Sequence, residues 1–147
     1  MTETNQTPQH SLVLVKPDGY RRGLTGEVLR RIEAKGYRLV ALSIVEATQE
    51  QLAAHYAEHE GKPFYQPLVD FMSSGPLAAV IIEGDACIPA FRSLAGATDP
   101  TAAAPGTIRG DLGRDWGLKV QQNIVHGSDS PESAAREISI WFPEHAE

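Results

Sequence analysis

Runs of apolar residues separated by turn-forming residues predict four strands in this chain. Residues 11–15, Ser-Leu-Val-Leu-Val, are almost continuously apolar, which is typical of a strand buried on both faces. Pro17 and Gly19 follow at once and stop that strand. Apolar runs of the same kind predict the other three strands over residues 37–45, 77–82 and 122–126.

Helical spacing of apolar residues fills the intervals between these strands. Thr25 can cap a helix that runs to about Lys35. Thr48 and Gln51 form the pattern of a capping box at the start of the next helix, and residues 61–63, Gly-Lys-Pro, separate it from a further short helix. The remaining helices are predicted over residues 86–94 and 131–142.

The order of these elements predicts the fold. Two β-α-β units with a hairpin-like middle give the ferredoxin-like α/β (α+β) sandwich, βαββαβ, in which helices cover a four-stranded antiparallel sheet. A doubly wound sheet fits this order of elements less well, because four strands are few for that fold and no glycine-rich turn follows the first strand. We expect one domain over residues 1–147, in which residues 1–9 form a flexible polar N-terminus.

Composition narrows the class of protein. The net charge of −6 argues against broad nucleic-acid binding, which needs a basic surface. A single cysteine, Cys87, excludes an internal disulfide and a multi-cysteine zinc site. The chain has no apolar run of about 18 residues and no secretory signal core, so we expect a cytoplasmic protein without a membrane span.

The stretch 123–130 contains the first candidate for chemistry. His126 ends the predicted fourth strand, and Ser130 and Pro131 favour a helix start shortly after it. Free N–H groups at a helix start attract anions, so a histidine there is well placed to meet one. Taken alone, the pattern favours an ordinary histidine at a strand end.

Four further polar residues lie at or near the ends of predicted elements. Lys16 ends a buried strand, where it either extends to solvent or meets a phosphate or carboxylate. Arg92, Thr98 and Arg109 flank or lie within the long irregular stretch 96–106, and loops of this length are often functional. Such a group of donors suits a phosphate clamp.

Familiar motifs of phosphate, hydrolase and zinc sites are missing. The sequence contains none of the patterns G-x-x-x-x-G-K-[ST], G-x-G-x-x-G and G-x-S-x-G. His55 and His59 are one helical turn apart but lack the glutamate of H-E-x-x-H, so no metal site is predicted there. A histidine with lysine and arginines at other element ends is the minimal equipment for phosphoryl transfer through a phosphohistidine.

Six segments of the sequence share their order and residues with one known family. They are residues 16–19, 55–64, 74–76, 96–100, 105–111 and 123–130, and the last contains the pattern Asn-x-x-His-Gly-Ser-Asp. These segments resemble the nucleoside diphosphate kinase family, to which that pattern is highly specific. The short tail after residues 141–143, Trp-Phe-Pro, is similar to that of bacterial members.

The resemblance implies a ping-pong reaction that maintains nucleoside and deoxynucleoside triphosphate pools. The γ-phosphoryl group of a nucleoside triphosphate such as ATP would pass to His126, as a pros-phosphohistidine, and then to a nucleoside diphosphate. Glu137 would hold the other ring nitrogen, with Ser128 beside the ring. The family pattern implies catalytic roles for His126, Glu137, Ser128, Lys16 and Tyr56, and nucleotide binding by Lys16, Phe64, Leu68, Arg92, Thr98, Arg109, Val120 and Asn123.

The resemblance also implies ligands and partners. Phe64 would stack on any base, which gives low base selectivity. Sugar contacts through Lys16 and Asn123 would tolerate ribose or deoxyribose. Mg²⁺ would be bound through the nucleotide phosphates, with no direct protein ligand. We expect a homo-oligomer, a hexamer built around the loop that carries Pro100, with a tetramer as the alternative.

One segment departs from the family pattern. Residues 110–122 are several residues longer than is usual, and we interpret the extra residues, which include Arg114, Asp115 and Trp116, as a surface bulge. The alignment of Val120 depends on that interpretation. Two other functions stay open at this point: an inactive nucleotide-binding regulatory module, and nucleic-acid binding by the sheet, which the acidic charge disfavours.

Overall fold

The computed structural model describes residues 8–118, 120 and 122–146, and its centre is one antiparallel sheet. Four strands lie in the order β2-β3-β1-β4. The predicted ferredoxin-like α+β fold is confirmed. The strands are β1 (Gln9–Val15), β2 (Arg38–Val45), β3 (Leu77–Gly84) and β4 (Val125–Gly127).

Seven α-helices and two short 3₁₀ turns connect and cover these strands in the described part of the chain. The helices are α1 (Pro17–Arg21), α2 (Thr25–Ala34), α3 (Gln49–His55), α4 (Tyr65–Met72), α5 (Cys87–Ala95), α6 (Ile108–Leu112) and α7 (Pro131–Trp141). The 3₁₀ turns are Ala57–His59 and Pro143–His145. None of the described helices has the length and apolar character that a membrane crossing requires.

Strand β1 is buried on both of its faces, as its apolar sequence predicts. Leu12 and Leu14 point into a core formed with α3, α4 and α7. Val13 and Val15 point into a second core formed with α2, α5 and α6. The strand therefore contacts both layers of the sandwich, and Lys16, which follows its end, is half-buried.

Two of the three predicted helix starts that depend on a capping residue are confirmed. Thr48 and Gln51 form the capping box, with the Gln51 N–H donating to Thr48 Oγ1 at 3.0 Å. Ser130 accepts from the Ser133 N–H at the start of α7. The prediction for Thr25 is wrong, because Leu24 is the N-cap. The Leu24 N–H donates to the Gly19 carbonyl, so the chain turns from α1 directly into α2 without an extended cap.

The fourth strand is shorter than its sequence predicts. It begins at Val125 instead of residue 122, because Ile124 has a positive φ of 75° that no strand accommodates. Gly127 ends the strand against α5, where a Cβ would lie only 2.5 Å from Phe91 Cδ2. His126 therefore lies in a short strand that begins directly after a bend in the backbone.

The predicted flexible N-terminus over residues 1–9 is wrong at its last residue. Gln9 belongs to β1, and its side-chain Oε1 accepts a hydrogen bond from the Ile88 N–H at 2.9 Å. Residues 1–7, on which the rest of that prediction falls, lie outside the described residues.

The long segment after Arg109 begins as helix α6 and continues irregularly from residue 113 to 118. Trp116 and Leu118 are 45% and 53% exposed. The guanidinium of Arg114 lies 4.5 Å from the centre of the Trp116 ring, and that of Arg22 lies 5.8 Å from it. These described residues of the segment lie at the surface, as expected for a bulge.

Candidate active site

His126 lies in the middle of β4, and a carboxylate on α7 holds its ring. His126 Nε2 is 2.9 Å from Glu137 Oε1, and Ser128 Oγ donates to the same oxygen at 2.7 Å. A carboxylate accepts, so Nε2 carries the proton and the lone pair lies on Nδ1. Nδ1 has no hydrogen-bond partner among the residues that the structure describes.

Glu137 is kept ionised in a buried position. Its burial favours the neutral acid, but the hydrogen bonds from His126 and Ser128 and the charge of His126 outweigh burial, so its pKa is below the usual value. Ser128 is fully buried and also accepts from the Leu12 N–H at 3.1 Å, which ties the carboxylate to β1. The orientation of the ring thus depends on the core of the fold.

A second histidine packs behind the first. The rings of His55 and His126 lie 4.7 Å apart, and His55 Nδ1 accepts from Trp141 Nε1 at 3.1 Å. Burial, followed by the charge of His126, lowers the pKa of His55 to about 3, so His55 is neutral. It supports the His126 ring without competing for a proton.

In the described part of the chain, His55, His126 and Glu137 are the one group of three side chains that could ligate a metal ion. Ligand atoms of His55, His126 and Glu137 lie within 4.8 Å of one another. Two imidazoles and one carboxylate suit zinc, whereas Mg²⁺ takes oxygen ligands. His59, which the sequence paired with His55, instead packs its ring 5.2 Å from Phe64.

A cavity of about 140 Å³ brings together the three donors predicted for a phosphate clamp, Arg92, Thr98 and Arg109. Arg92 Nη1 donates to the Gly127 carbonyl at 3.2 Å, which connects the cavity to β4. Burial, followed by the charge of Arg92, lowers the pKa of Arg109 to about 10, so Arg109 stays cationic at neutral pH. The cavity therefore has two fixed positive charges.

Arg109 is also a structural support. Its guanidinium donates to the carbonyls of Gly96 at 2.9 Å, Asn123 at 3.1 Å and Val125 at 2.6 Å. An arginine has five N–H donors, so two remain for a ligand.

A second cavity of about 380 Å³ shares Thr98 with the first. Lys16 Nζ donates to Asn123 Oδ1 at 2.9 Å, and Asn123 Nδ2 donates to the Thr98 carbonyl at 3.0 Å. Burial, followed by the charge of Arg109, lowers the pKa of Lys16 to about 8. The lining consists of Lys16, Pro63, Phe64, Pro67, Leu68, Thr98, Val120 and Asn123.

Phe64 is unusual because it is aromatic yet 48% exposed. It precedes α4 and presents its ring at the second cavity. Val120, whose alignment was in question, lines the same cavity. An exposed ring beside apolar side chains is a surface on which a planar ligand can stack.

Tyr56 lines neither of the two cavities and makes no direct hydrogen bond to His126 among the described residues. It is 9% exposed, and its ring lies 4.6 Å from that of His55. Burial, with a smaller contribution from Glu137, raises the pKa of its phenol. Its connection to His126 runs through His55.

Sequence reasoning missed three residues of this region: His55, Trp141 and Asp18. Trp141 reaches His55 across a sequence separation of 86 residues, which no local pattern reveals. Asp18 is 2% exposed, and its Oδ2 accepts from the Ile124 N–H. An aspartate that follows a buried strand and precedes a glycine was the available signal.

Comparison with known proteins gives the same result in sequence and in structure. The sequence model described as Nucleoside diphosphate kinase matches residues 9–146. The nucleoside diphosphate kinase of Saccharopolyspora erythraea is 58% identical over 137 residues, which cover 92% of this chain and 98% of that protein. That of Thermobifida fusca is 56% identical over 138 residues, with 94% and 99% coverage.

Two solved structures are similar over most of their length. A nucleoside diphosphate kinase family protein from Babesia bovis has a TM-score of 0.86 and 47% identity, and covers 92% of this chain and 90% of its own. The halophilic nucleoside diphosphate kinase from Halobacterium salinarum in complex with CDP has a TM-score of 0.86 and 44% identity, with 92% and 88% coverage.

These matches identify a nucleotide-binding phosphotransferase. The chain belongs to the nucleoside diphosphate kinase family, and the resemblance found in its six segments is confirmed. The comparisons give no support to the alternative of an inactive module.

Proposed function

We propose that this chain transfers the γ-phosphoryl group of a nucleoside triphosphate to a nucleoside diphosphate through Nδ1 of His126. The observation that carries the proposal is the hydrogen bond from His126 Nε2 to Glu137 Oε1. It leaves the Nδ1 lone pair free to attack phosphorus. An Nδ1–P bond forms, the bond from phosphorus to the β–γ bridging oxygen breaks, and the nucleoside diphosphate leaves with that electron pair.

The second half of the reaction reverses the first with another nucleotide. A terminal phosphate oxygen of the incoming diphosphate attacks the phosphohistidine, and the Nδ1–P bond breaks. Glu137 stabilises the positive charge that the ring carries while phosphorylated, and Ser128 holds Glu137 in place.

Arg92, Arg109 and Thr98 are proposed to bind the transferring phosphates in the smaller cavity. Fixed arginines stabilise charge that develops on the phosphoryl oxygens. Among the described residues, the lining of this cavity contains no carboxylate, and we therefore propose that Mg²⁺ is carried on the nucleotide phosphates with no direct protein ligand. Mg²⁺ would supply charge neutralisation between the phosphates when bound.

The larger cavity is proposed to bind the nucleoside. Phe64 would stack on the base beside Leu68 and Val120, and Lys16 with Asn123 would contact the sugar and phosphates. Every base has a π-face, so stacking explains low selectivity. The similar protein from Halobacterium salinarum forms a complex with CDP, which supports a nucleotide as the ligand of this chain. Tyr56 is proposed to act indirectly, through His55.

A homo-oligomer in the cytoplasm is part of the proposal, with a hexamer preferred to a tetramer. Leu42 and Ile44 of the edge strand β2 are each 49% exposed, and a second copy could cover them. Exposed apolar residues on an edge strand are otherwise a liability for aggregation.

The test is labelling of the intact protein. Incubated with ATP and Mg²⁺, the wild type should gain one acid-labile phosphoryl group by mass spectrometry, and then lose it on addition of a diphosphate with another base. His126→Ala should gain no phosphoryl group. His145→Ala, in the 3₁₀ turn Pro143–His145, should behave as the wild type. Stoichiometric labelling of His126→Ala would overturn the proposal.

A further inference from the structure

Ile124, two residues before His126, has a backbone conformation that β-branched residues rarely adopt. Its φ is 75°, and the Val125 N–H donates to the Asn123 carbonyl at 2.8 Å, which closes a three-residue γ-turn. A γ-turn of positive φ is rare and strained, and it persists only where its surroundings hold it. This turn lies between two site residues, Asn123 and His126.

Residues that follow β1 hold both polar groups of Ile124. Asp18 Oδ2 accepts from the Ile124 N–H at 3.1 Å, and the Lys16 N–H donates to the Ile124 carbonyl at 2.7 Å. Asp18 is 2% exposed and Ile124 is fully buried. The Ile124 N–H is thus paired with a buried carboxylate in a place where losing its partner would be costly.

Gly19 provides the room that the turn needs. A Cβ at Gly19 would lie 2.9 Å from Ile124 Cγ2 and 3.2 Å from the Ile124 carbonyl oxygen. It would also lie 3.0 Å from Val15 Cγ1, so it has no free side on which to relax. Any larger residue here presses on the turn.

Arg109 fixes the two flanks of the turn. Its Nε donates to the Asn123 carbonyl and its Nη2 to the Val125 carbonyl. Groups from other parts of the chain therefore hold Ile124 and its neighbour on each side.

We propose that Asp18 and Gly19 are positioning residues that maintain the Ile124 turn and thereby set the places of Asn123 and His126. Neither residue lines the two cavities. The inference rests on the proposed function, because its effect on rate requires that His126 be the nucleophile. A displacement of about 1 Å in a catalytic group can cost about 10²-fold in rate.

Paired substitutions at Asp18 test the hydrogen bond. Asp18→Asn keeps an oxygen acceptor for the Ile124 N–H, whereas Asp18→Leu has the same number of side-chain heavy atoms and no acceptor. We expect phosphorylation of His126 in a single turnover with ATP to slow by about 10–10²-fold in Asp18→Leu. Asp18→Asn should stay within about threefold of the wild type, because the acceptor remains.

Ile81→Ala separates positioning from stability. Ile81 is a buried residue of β3 that belongs to the core with α3, α4 and α7, whereas Ile124 belongs to the other core, so its truncation lowers the melting temperature without opening space beside the turn. Its single-turnover rate at 25 °C should match that of the wild type. If Asp18→Leu is as fast as the wild type, or if Asp18→Asn is as slow as Asp18→Leu, the hydrogen bond does not set the rate and the inference fails.

Glycine substitutions test the same turn in case Asp18→Leu does not fold. Gly19→Ala presses on Ile124, whereas a Cβ at Gly26 in α2 meets nothing within 4 Å. Gly19→Ala should slow phosphorylation, and Gly26→Ala should keep the rate and raise the melting temperature, because alanine favours a helix. Equal rates in the two variants would contradict the inference.

Hydrogen exchange of the Ile124 amide gives a readout that needs no activity. Exchange should be slow in the wild type and in Asp18→Asn, and fast in Asp18→Leu. If the wild type is not labelled by ATP, the proposed function fails, and the exchange rates still decide whether Asp18 holds the turn. Equal protection in all three proteins would overturn the inference.

Discussion

Lys16 combines a positive charge with a position at the end of a buried strand, and its ammonium group should titrate near pH 8. Burial and the charge of Arg109 lower its pKa to about 8. Only protonated Lys16 attracts nucleotide phosphates, so binding to the free enzyme should weaken as pH rises through this value. Below about pH 7 Lys16 is fully charged, and its contribution is complete.

We therefore expect the KM for a nucleoside diphosphate to be flat up to about pH 7 and to rise as the pH passes through about 8. Lys16→Arg should show weaker binding that no longer changes between pH 7 and 9.5, because arginine stays charged. The measurement is the KM against pH for both proteins in one buffer series. The same rise in Lys16→Arg would assign the titration to another group.

Single residues in the site show where sequence reasoning succeeds and where it stops. Lys16, Arg92 and Arg109 could be predicted as a group because each cation lies at or near an element end, where helices and strands converge on a cavity. The hydrogen bonds from Arg109 to three carbonyls could not be predicted from the sequence, because these carbonyls are backbone groups that the tertiary structure places around the guanidinium.

At the scale of elements, α7 brings Glu137 to His126, and its start is fixed by one side chain. Ser130 Oγ accepts from the Ser133 N–H at 3.0 Å, and Pro131 occupies the first turn. Ser130→Ala should cost about 1 kcal/mol of unfolding free energy, which is a fall of about 2–4 °C in melting temperature for a chain of this size.

Ser139→Ala is the matched control on the same helix, because among the described residues the Ser139 hydroxyl bonds only to the carbonyl of Arg136, three residues earlier. Alanine is the better helix former there, so this variant should not lose stability. Calorimetry of the two variants decides the role of the cap. Equal melting temperatures would mean that Ser130 does not stabilise the start of α7.

The elements also show why β4 was mispredicted. Asn-Ile-Val has the β-branched residues of a strand, and local propensity alone extends the strand back to residue 122. Contacts from Asp18 and Lys16 bend the backbone at Ile124 instead. Helix α1 was missed for a related reason: Pro17 and Gly19 stop a strand, but Pro also suits the first turn of a helix.

At the scale of the whole molecule, the exposed edge of the sheet is the feature that the single chain leaves without a partner. Leu42 and Ile44 pair with Val80 and Ala78 and share their face of the sheet, yet each remains 49% exposed. We expect Ile44→Lys to lower the mass in solution to that of a smaller assembly or of the 15.9 kDa chain. A buried lysine without a partner opposes association.

Light scattering after size exclusion measures that mass. Glu50→Lys, at an exposed position of α3, introduces the same residue away from β2 and should leave the mass unchanged. Wild-type protein with the mass of one chain would contradict the proposed homo-oligomer. An Ile44→Lys protein with the mass of the wild type would move the interface away from this edge.

The overall fold was predictable because periodicity, turn residues and order of elements agree along almost the whole chain. Four strands, five of the helices and the two-layer core follow from such local signals. Local signals did not predict contacts between residues far apart in the sequence, such as the hydrogen bond from Trp141 to His55. Family resemblance supplied the reaction, which apolar and polar patterns alone do not determine.

The position of β1 between β3 and β4 has a consequence for synthesis of the protein on the ribosome. This strand is made first, pairs with the third strand, and must wait for residues 125–127 to cover its other edge. At about 5–20 residues per second, several seconds pass between the two events. A nascent chain therefore exposes one edge of β1 until residues 125–127 have left the ribosome, and phosphoryl transfer can begin only after α7, which carries Glu137, has followed them.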